Sequence, residues 1–325
     1  MRNITQIQKR ICIILQEGLS VCEKPFDKIA CDLGISTPQV LEEIRQLKKD
    51  GIIKRFRAII NHRTLGKTGT LVSAHVPEDK LQEVTIAINA LPGVSHNYLR
   101  EHFYNLWFTL QARDTSEIKH ILSGLHECFE IDFHSLPVVR TFKLNVRFDV
   151  TDNKQNSDNN IISKPKDGKV LLSEDEKLIL SKVQKELEIN EQPFSLMSNE
   201  RLTIDDTLKI IRGLIEKDVI RRIAAVIDYQ EVGFTANVLF VSEIQQERVN
   251  VVGEKLAHSP LVSHCYERKT FEGWPYNLYA MMHARSMDEI YKEVNEFVRK
   301  EKIKFHQFLP TIIELKKKPV YHKFE

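Results

Sequence analysis

Apolar positions in the first fifty residues fall at helical spacing. Ile4, Ile7, Ile11, Ile14 and Leu15 mark one amphipathic helix. Phe26, Ile29, Ala30 and Leu33 mark a second that ends at Gly34, where a left-handed cap costs little. Ser36 or Thr37 caps a third, with Pro38 in its first turn and Val40, Ile44 and Leu47 turned inward. Two helices joined by a short glycine turn make a helix-turn-helix. Beyond it the pattern predicts strands over 52–60 and 69–76, a helix over 78–90, and strands over 94–100 and 104–112. A helix over 115–127 and a long strand over 133–148 complete the series. From residue 69 the order is βαββαβ, a ferredoxin-like unit. Helices over 174–187, 194–200 and 204–217 restart the pattern, which then runs in the same order to about residue 318.

The restart is a true repeat, offset by about 168 residues. Gly93-Val94-Ser95-His96-Asn97-Tyr98-Leu99-Arg100 aligns with Leu261-Val262-Ser263-His264-Cys265-Tyr266-Glu267-Arg268. Tyr104-Asn105-Leu106-Trp107 matches Tyr276-Asn277-Leu278-Tyr279 across a four-residue insertion that holds Gly273 and Trp274. Gly51-Ile52-Ile53-Lys54-Arg55 pairs with Asp218-Val219-Ile220-Arg221-Arg222, and Gly66 with Gly233. Between the copies, nine polar residues from Asp152 to Asn160 cannot bury a core and read as a flexible linker. The expected fold is α+β, a tandem repeat of a winged helix-turn-helix followed by a ferredoxin-like βαββαβ domain. Its expected boundaries are 1–60 and 61–150 for the first copy, 151–168 for the linker, and 169–227 and 228–325 for the second. The two modules are expected to pack face to face, with joined sheets and a shared cleft between sheet and helix-turn-helix.

Composition narrows the class further. Over 325 residues, 42% hydrophobic and 28% charged positions are ordinary for a globular chain. The net charge of +2, from 47 basic against 45 acidic residues, removes the strongest electrostatic argument for a nucleic-acid binder. No run of about 18 apolar residues predicts a membrane span, and the N-terminal apolar stretch reads as an amphipathic helix and not a signal peptide. Five cysteines without a CxxC pair fit reduced thiols in the cytoplasm and disfavour zinc or disulfides. No glycine-rich phosphate loop, no HExxH and no Ser/His/Asp order is present.

A helix-turn-helix followed by βαββαβ resembles the Lrp/AsnC family of amino-acid-responsive regulators. The repeated motifs, from Pro92 through Tyr98, Tyr104 through Leu110, Val262 through Arg268 and Trp274 through Tyr279, more closely resemble the siroheme decarboxylases, here in a fused two-module form. That resemblance implies a carboxy-lyase that removes carbon dioxide from two acetate side chains of siroheme. The product would be 12,18-didecarboxysiroheme, on a route to haem d1 or haem b. It implies no separate cofactor and no metal site on the protein, since the substrate carries its own iron.

A flat polycarboxylate of this kind needs an aromatic cleft and cations at its rim. Arginine suits the rim because its fork engages a carboxylate bidentately. Lys54, Arg55 and Arg57 follow one wing turn, and Arg221 and Arg222 the other. Strand alternation puts His96, Tyr98 and Arg100 on one face, and His264, Tyr266 and Arg268 likewise. A solvated strand edge with a core tyrosine would explain one such row; its recurrence beside Tyr-Asn-Leu favours a site. The proton that replaces each lost carboxylate then falls to histidine. His264 is expected to be essential, with His96 either acting on the second acetate or positioning the ring, and His62 next in line. An axial ligand to the iron is the alternative role for such a histidine. His283 and Trp274 complete the substrate set, and Tyr98, Tyr266, Trp107 and Trp274 either stack on the ring or fill the core. Asn61-His62-Arg63 against Asp228-Tyr229-Gln230 indicates that the two halves differ. His120, His126 and His322 are expected at the surface.

DNA is disfavoured as a partner. The helix at 36–50 carries no net charge and that at 203–218 is net −1, counting Asp205, Asp206, Glu216 and Asp218 against Lys209, Arg212 and Lys217. A non-catalytic tetrapyrrole sensor would keep the cleft without needing a proton donor. A homodimer of the whole chain is plausible, although no single residue argues for it.

Overall fold

The structure, a computed structural model, describes residues 4–144 and 169–324. The linker expected over 151–168 and the end of the strand expected over 133–148 lie outside the described residues. The first module comprises α1 (Gln6–Glu17), α2 (Pro25–Leu33), α3 (Thr37–Lys49), β1 (Ile53–Ile60), β2 (Thr68–Ala74), α4 (Glu78–Ala90), β3 (Val94–Arg100), β4 (Leu106–Ala112), α5 (Thr115–Phe129) and β5 (Phe133–Leu144). The second comprises α6 (Glu174–Val183), a single 3-10 turn (Ser195–Met197), α7 (Ile204–Glu216), β6 (Ile220–Ile227), β7 (Ala236–Ser242), α8 (Val249–Ala257), β8 (Val262–Arg268), β9 (Leu278–Ala284), α9 (Met287–Glu301) and β10 (His306–Lys317).

Local chemistry explains the helix-turn-helix. Gly34 ends α2 at φ 68°, and Ser36 forms a reciprocal capping box with Gln39 at the start of α3. The second module departs from expectation at 194–200, where the predicted helix shrinks to one turn. Ser195 Oγ donates to the Gln192 carbonyl, Ser198 Oγ to the Ser195 carbonyl, and Asn199 Oδ1 accepts from the Arg201 and Leu202 amides. These side chains compete with the helical ladder, and buried Phe194 and Met197 hold the turn instead. The two helix-turn-helix units share one core: Ile11, Phe26, Ile44 and Phe56 pack in the same cluster as Leu180, Ile211 and Leu214. β1 and β6 pair antiparallel across it.

The eight remaining strands close into one barrel in the order β10-β3-β4-β2-β5-β8-β9-β7. Each module contributes four consecutive strands, and the two joints are β5 with β8 and β10 with β3. The sheets are therefore joined, as expected, and joined twice, so that they close on each other. The outer faces carry α4 and α5, or α8 and α9, over separate apolar cores. Phe142 of β5 packs into the second module's core beneath α8, where a Cβ on Gly253 would lie 2.4 Å from its ring. One part of the barrel interior is aromatic, with Trp107, Trp274, Tyr276 and Tyr279 among its residues.

The repeated Tyr-Asn-Leu motif has a structural role. Asn105 Oδ1 accepts from the Val76 amide at 2.9 Å while its Nδ2 donates to the Val76 carbonyl at 2.8 Å. Asn277 does the same to Ile244 at 2.9 and 2.8 Å. Each asparagine thus staples the start of β4 or β9 to the end of its neighbouring strand, satisfying two backbone groups where the ladder stops.

Candidate active site

The alternation expected on β3 and β8 is realised. Cys265 and Val262 are buried on the helix-facing side, while His264, Tyr266 and Arg268 occupy the other face. The His264 and Tyr266 rings lie 6.0 Å apart at 26°, and the Arg268 guanidinium sits 4.8 Å from the Tyr266 centroid. His96 and Tyr98 repeat this at 6.2 Å and 22°, with Arg100 at 5.1 Å. Two histidine–tyrosine–arginine ladders therefore line the barrel interior from non-adjacent strands, held by cation–π contacts.

The serine of each Val-Ser pair sets its neighbouring imidazole. Ser263 Oγ donates to the Met281 carbonyl at 3.1 Å, so toward His264 Nδ1, also at 3.1 Å, it accepts. The neutral His264 ring consequently carries its hydrogen on Nδ1 and presents a lone pair at Nε2. Ser95 Oγ contacts His96 Nδ1 at 2.8 Å and Thr109 Oγ1 at 2.8 Å.

Both rings keep some accessible surface on the interior side but are surrounded by protein. Burial, then His96, Arg221 and Arg268, push His264 down to about 3. Burial, then Lys317 and Arg55, push His96 down to about 4. His283 falls to about 3 through burial and the nearby His264, and His62 to about 4 through burial, Arg63 and Arg221. Without substrate, all four imidazoles are therefore neutral near neutral pH, because desolvation and neighbouring cations both oppose the charged form.

The rim cations divide into two kinds. Lys54 is consumed by an ion pair with Asp228 at 2.7 Å, Arg55 donates to the Lys317 carbonyl at 3.2 Å, and Arg57 donates to the Gln184 carbonyl at 3.4 Å beneath Tyr321. Arg100 is buried and donates to the Leu309 carbonyl and Thr311 Oγ1, each at 2.9 Å, and to Met281 Sδ at 3.7 Å. Arg221 donates to the neutral Asn61 Oδ1 at 3.1 Å, and Arg268 to the Leu136 carbonyl at 2.8 Å. Arg222 stands at the base of β6 beside Gly18. Arg63 was not among the sequence candidates. Its backbone amide donates to Asn61 Oδ1 at 3.3 Å, the same oxygen that accepts from Arg221, and its charge acts on Arg221, Tyr266, Arg268 and His62, which puts it in the His264 half. Its sequence signal was the replacement of Arg63 by Gln230 in the repeat.

Two expectations fare differently. Trp274 is 3% exposed in the aromatic part of the interior, and its indole donates to Tyr279 Oη at 2.6 Å. It is core, coupled to the site through Tyr279, which lies 5.7 Å from the Arg268 guanidinium. His322 is 6% exposed and not superficial, since its backbone bonds reciprocally with the Gln184 side chain at 2.8 and 2.9 Å. A cavity of about 300 Å³, lined by Glu101, Asn237, Tyr291 and Thr311 among others, borders the Asn237–Thr311 contact beside Arg100. It is at the small end for a ligand site, and Glu101 gives it the wrong sign for a polyanion.

The arrangement thus brings together neutral imidazoles, stacked phenols and the guanidiniums of Arg221 and Arg268, which pair with no carboxylate among the described residues, and it suits an aromatic polycarboxylate that must gain a proton. Family comparisons agree. Residues 8–54 match a siroheme decarboxylase NirDL-like helix-turn-helix domain, and residues 64–143 and 231–316 an AsnC-like ligand-binding domain. The siroheme decarboxylase of Hydrogenobacter thermophilus is 35% identical over 298 residues, covering 90% of this chain and 87% of that protein. The crystal structure of the siroheme decarboxylase NirDL superposes with a TM-score of 0.75 at 31% identity, over 98% of this chain and 94% of that one. The same enzyme in complex with an iron-uroporphyrin III analogue gives 0.74 at 30% identity, over 98% and 95%.

Proposed function

The chain belongs to the siroheme decarboxylase family, and from that premise we propose that it removes the C12 and C18 acetate carboxylates of siroheme to give 12,18-didecarboxysiroheme. It is a carboxy-lyase of the α+β, Lrp/AsnC-like class. The observation that carries the site assignment is the His264–Tyr266–Arg268 ladder with Arg63 and Arg221 beside it.

Each of those residues has a task in our reading. The guanidiniums of Arg63, Arg221 and Arg268 receive carboxylates at the ring periphery, and Tyr266 provides a flat surface for the macrocycle. Those incoming negative charges reverse the field that keeps His264 neutral, so the imidazole takes up a proton as substrate docks. The acetate C–C bond then breaks and carbon dioxide leaves. The electron pair is delocalised into the macrocycle until the exocyclic carbon accepts the proton from His264 Nε2 and becomes a methyl group. Each decarboxylation consumes one proton, which solvent restores to the ring. His96 acts electrostatically on His264.

A role in DNA binding has little support. On α3, Arg45 donates to the Ile189 carbonyl at 2.9 Å and Lys48 pairs with Glu186 at 2.7 Å. On α7, Arg212 donates to the Val21 carbonyl at 3.1 Å. These cations are engaged by the other module. No described helix is long and apolar enough to cross a membrane. Anaerobic incubation with siroheme followed by mass spectrometry tests the activity. Loss of two carbon dioxide units is expected, whereas tight binding of unchanged siroheme would replace the enzyme by a sensor.

A further inference from the structure

The two ladders are built alike, yet the strands that pair with them are not. β10 runs beside β3 with Glu314 opposite Tyr98 and Lys317 opposite His96. β5 runs beside β8 in the same register, with Thr141 opposite Tyr266 and Leu144 opposite His264. The His96 half therefore receives a carboxylate and an ammonium where the His264 half receives a hydroxyl and an alkyl group.

Those extra groups are joined into a plug. Lys317 Nζ lies 3.4 Å from the Glu314 carboxylate and 4.1 Å from the centre of the Tyr229 ring. Tyr229 Oη donates to Glu314 at 3.3 Å and accepts from Asn237 Nδ2 at 3.1 Å. Asn237 Oδ1 in turn accepts from Thr311 Oγ1 at 2.8 Å, the group that also holds Arg100. At the positions equivalent to Tyr229 and Asn237, the His264 half carries the smaller His62 and Gly69. Charge follows the same division. Asp228 neutralises Lys54, whereas its counterpart Asn61 leaves Arg221 charged, and Gln230 stands where the other half has Arg63. Among the described residues no carboxylate forms an ion pair with Arg63, Arg221 or Arg268. Asp218, which acts electrostatically on Arg221, is engaged by Asn61 Nδ2 at 2.9 Å.

We propose that the chain holds one substrate site, in the His264 half with Arg63 as a carboxylate-binding residue, and that Glu314, Lys317 and Tyr229 close the His96 half. Glu314 occupies, from within the protein, the place beside tyrosine and cation that a substrate carboxylate takes in the other half. Both acetates are then removed at one site, with the ring turning or rebinding between steps. This inference rests on the decarboxylase reading above.

Anaerobic absorbance titration of the full chain with siroheme tests it, read alongside product mass. Saturation at one equivalent per chain is expected. Arg63→Gln should raise Kd at least tenfold at unchanged stoichiometry and unchanged melting temperature. Glu314→Gln should leave Kd and turnover within about twofold of wild type. Saturation at two equivalents, or a wild-type Kd for Arg63→Gln, overturns the single-site proposal even if two carbon dioxide units are lost. One equivalent bound without any loss of carbon dioxide would instead overturn the decarboxylase reading and leave the site assignment standing. A wild-type chain that binds no siroheme overturns both.

Discussion

Neutral imidazoles enclosed in the barrel make stability depend on pH in a defined direction. His264, held near 3 in the folded chain, has an ordinary value near 6.5 once unfolded. The folded state therefore binds fewer protons between those limits. The stability contributed by keeping the ring neutral is fully present above about 6.5 and is lost as pH falls toward about 3. Between pH 6 and pH 5 the unfolded ring gains protons while the folded one does not, a difference of about 1.2 kcal/mol for one histidine. His96, held near 4, contributes a similar amount over the same interval. Urea unfolding at pH 7, 6 and 5 measures this directly. His264→Asn should retain about 1.2 kcal/mol of the stability that wild type loses between pH 6 and pH 5. His120→Asn, on the exposed face of α5, provides the control. Parallel losses in wild type and His264→Asn would refute the neutral-histidine argument.

Other outcomes follow from the same geometry. Siroheme binding in weakly buffered solution at neutral pH should take up protons, read by an indicator dye; proton release or no change would contradict substrate-driven protonation of His264. Arg268→Ala should weaken siroheme binding by about 1.5–3 kcal/mol, roughly ten- to a hundredfold, measured by titration. Gly253→Ala should cost about 1–3 kcal/mol of stability through collision with Phe142, and Phe142→Leu in the same chain should recover most of the lost melting temperature. Trp274→Phe, which removes the indole donor to Tyr279, should lower the melting temperature while leaving siroheme Kd within about twofold.

Short-range features were the most legible. The α1 to α3 periodicities, the Gly34 and Ser36 caps and the alternation of His264, Tyr266 and Arg268 all depend on neighbours within a few residues, and all are realised. The stretch at 194–200 failed because side-chain bonds from Ser195 and Asn199 outcompete a short helix. Barrel closure was out of reach, since the pairing of Leu144 with His264 joins residues 120 positions apart (264 minus 144) and no local pattern encodes it. The same distance concealed Arg63, whose loop reaches the opposite module's ladder. It also concealed the burial of His322, which depends on Gln184. The histidine protonation states follow from enclosure and from neighbouring cations, neither of which composition reveals. The Tyr-Asn-Leu motif was the most conspicuous signal, and its asparagine proved to be a staple for strand ends.

The double strand exchange that closes the barrel also bears on how such a chain can change over generations. The ladder bearing His264 takes its neighbouring strand from the first module, and the ladder bearing His96 takes its own from the second. Whether an imidazole has room beside it is thus written in the other copy of the repeat. In a pair of identical chains, a mutation that introduced a carboxylate on that strand would appear in both ladders at once and extinguish the activity. Within a fused duplicate, codons 141 and 314 mutate separately, so one ladder can acquire an obstruction while the other stays open to selection for chemistry. Covalent linkage of the copies permits an asymmetry that symmetry of identical subunits forbids.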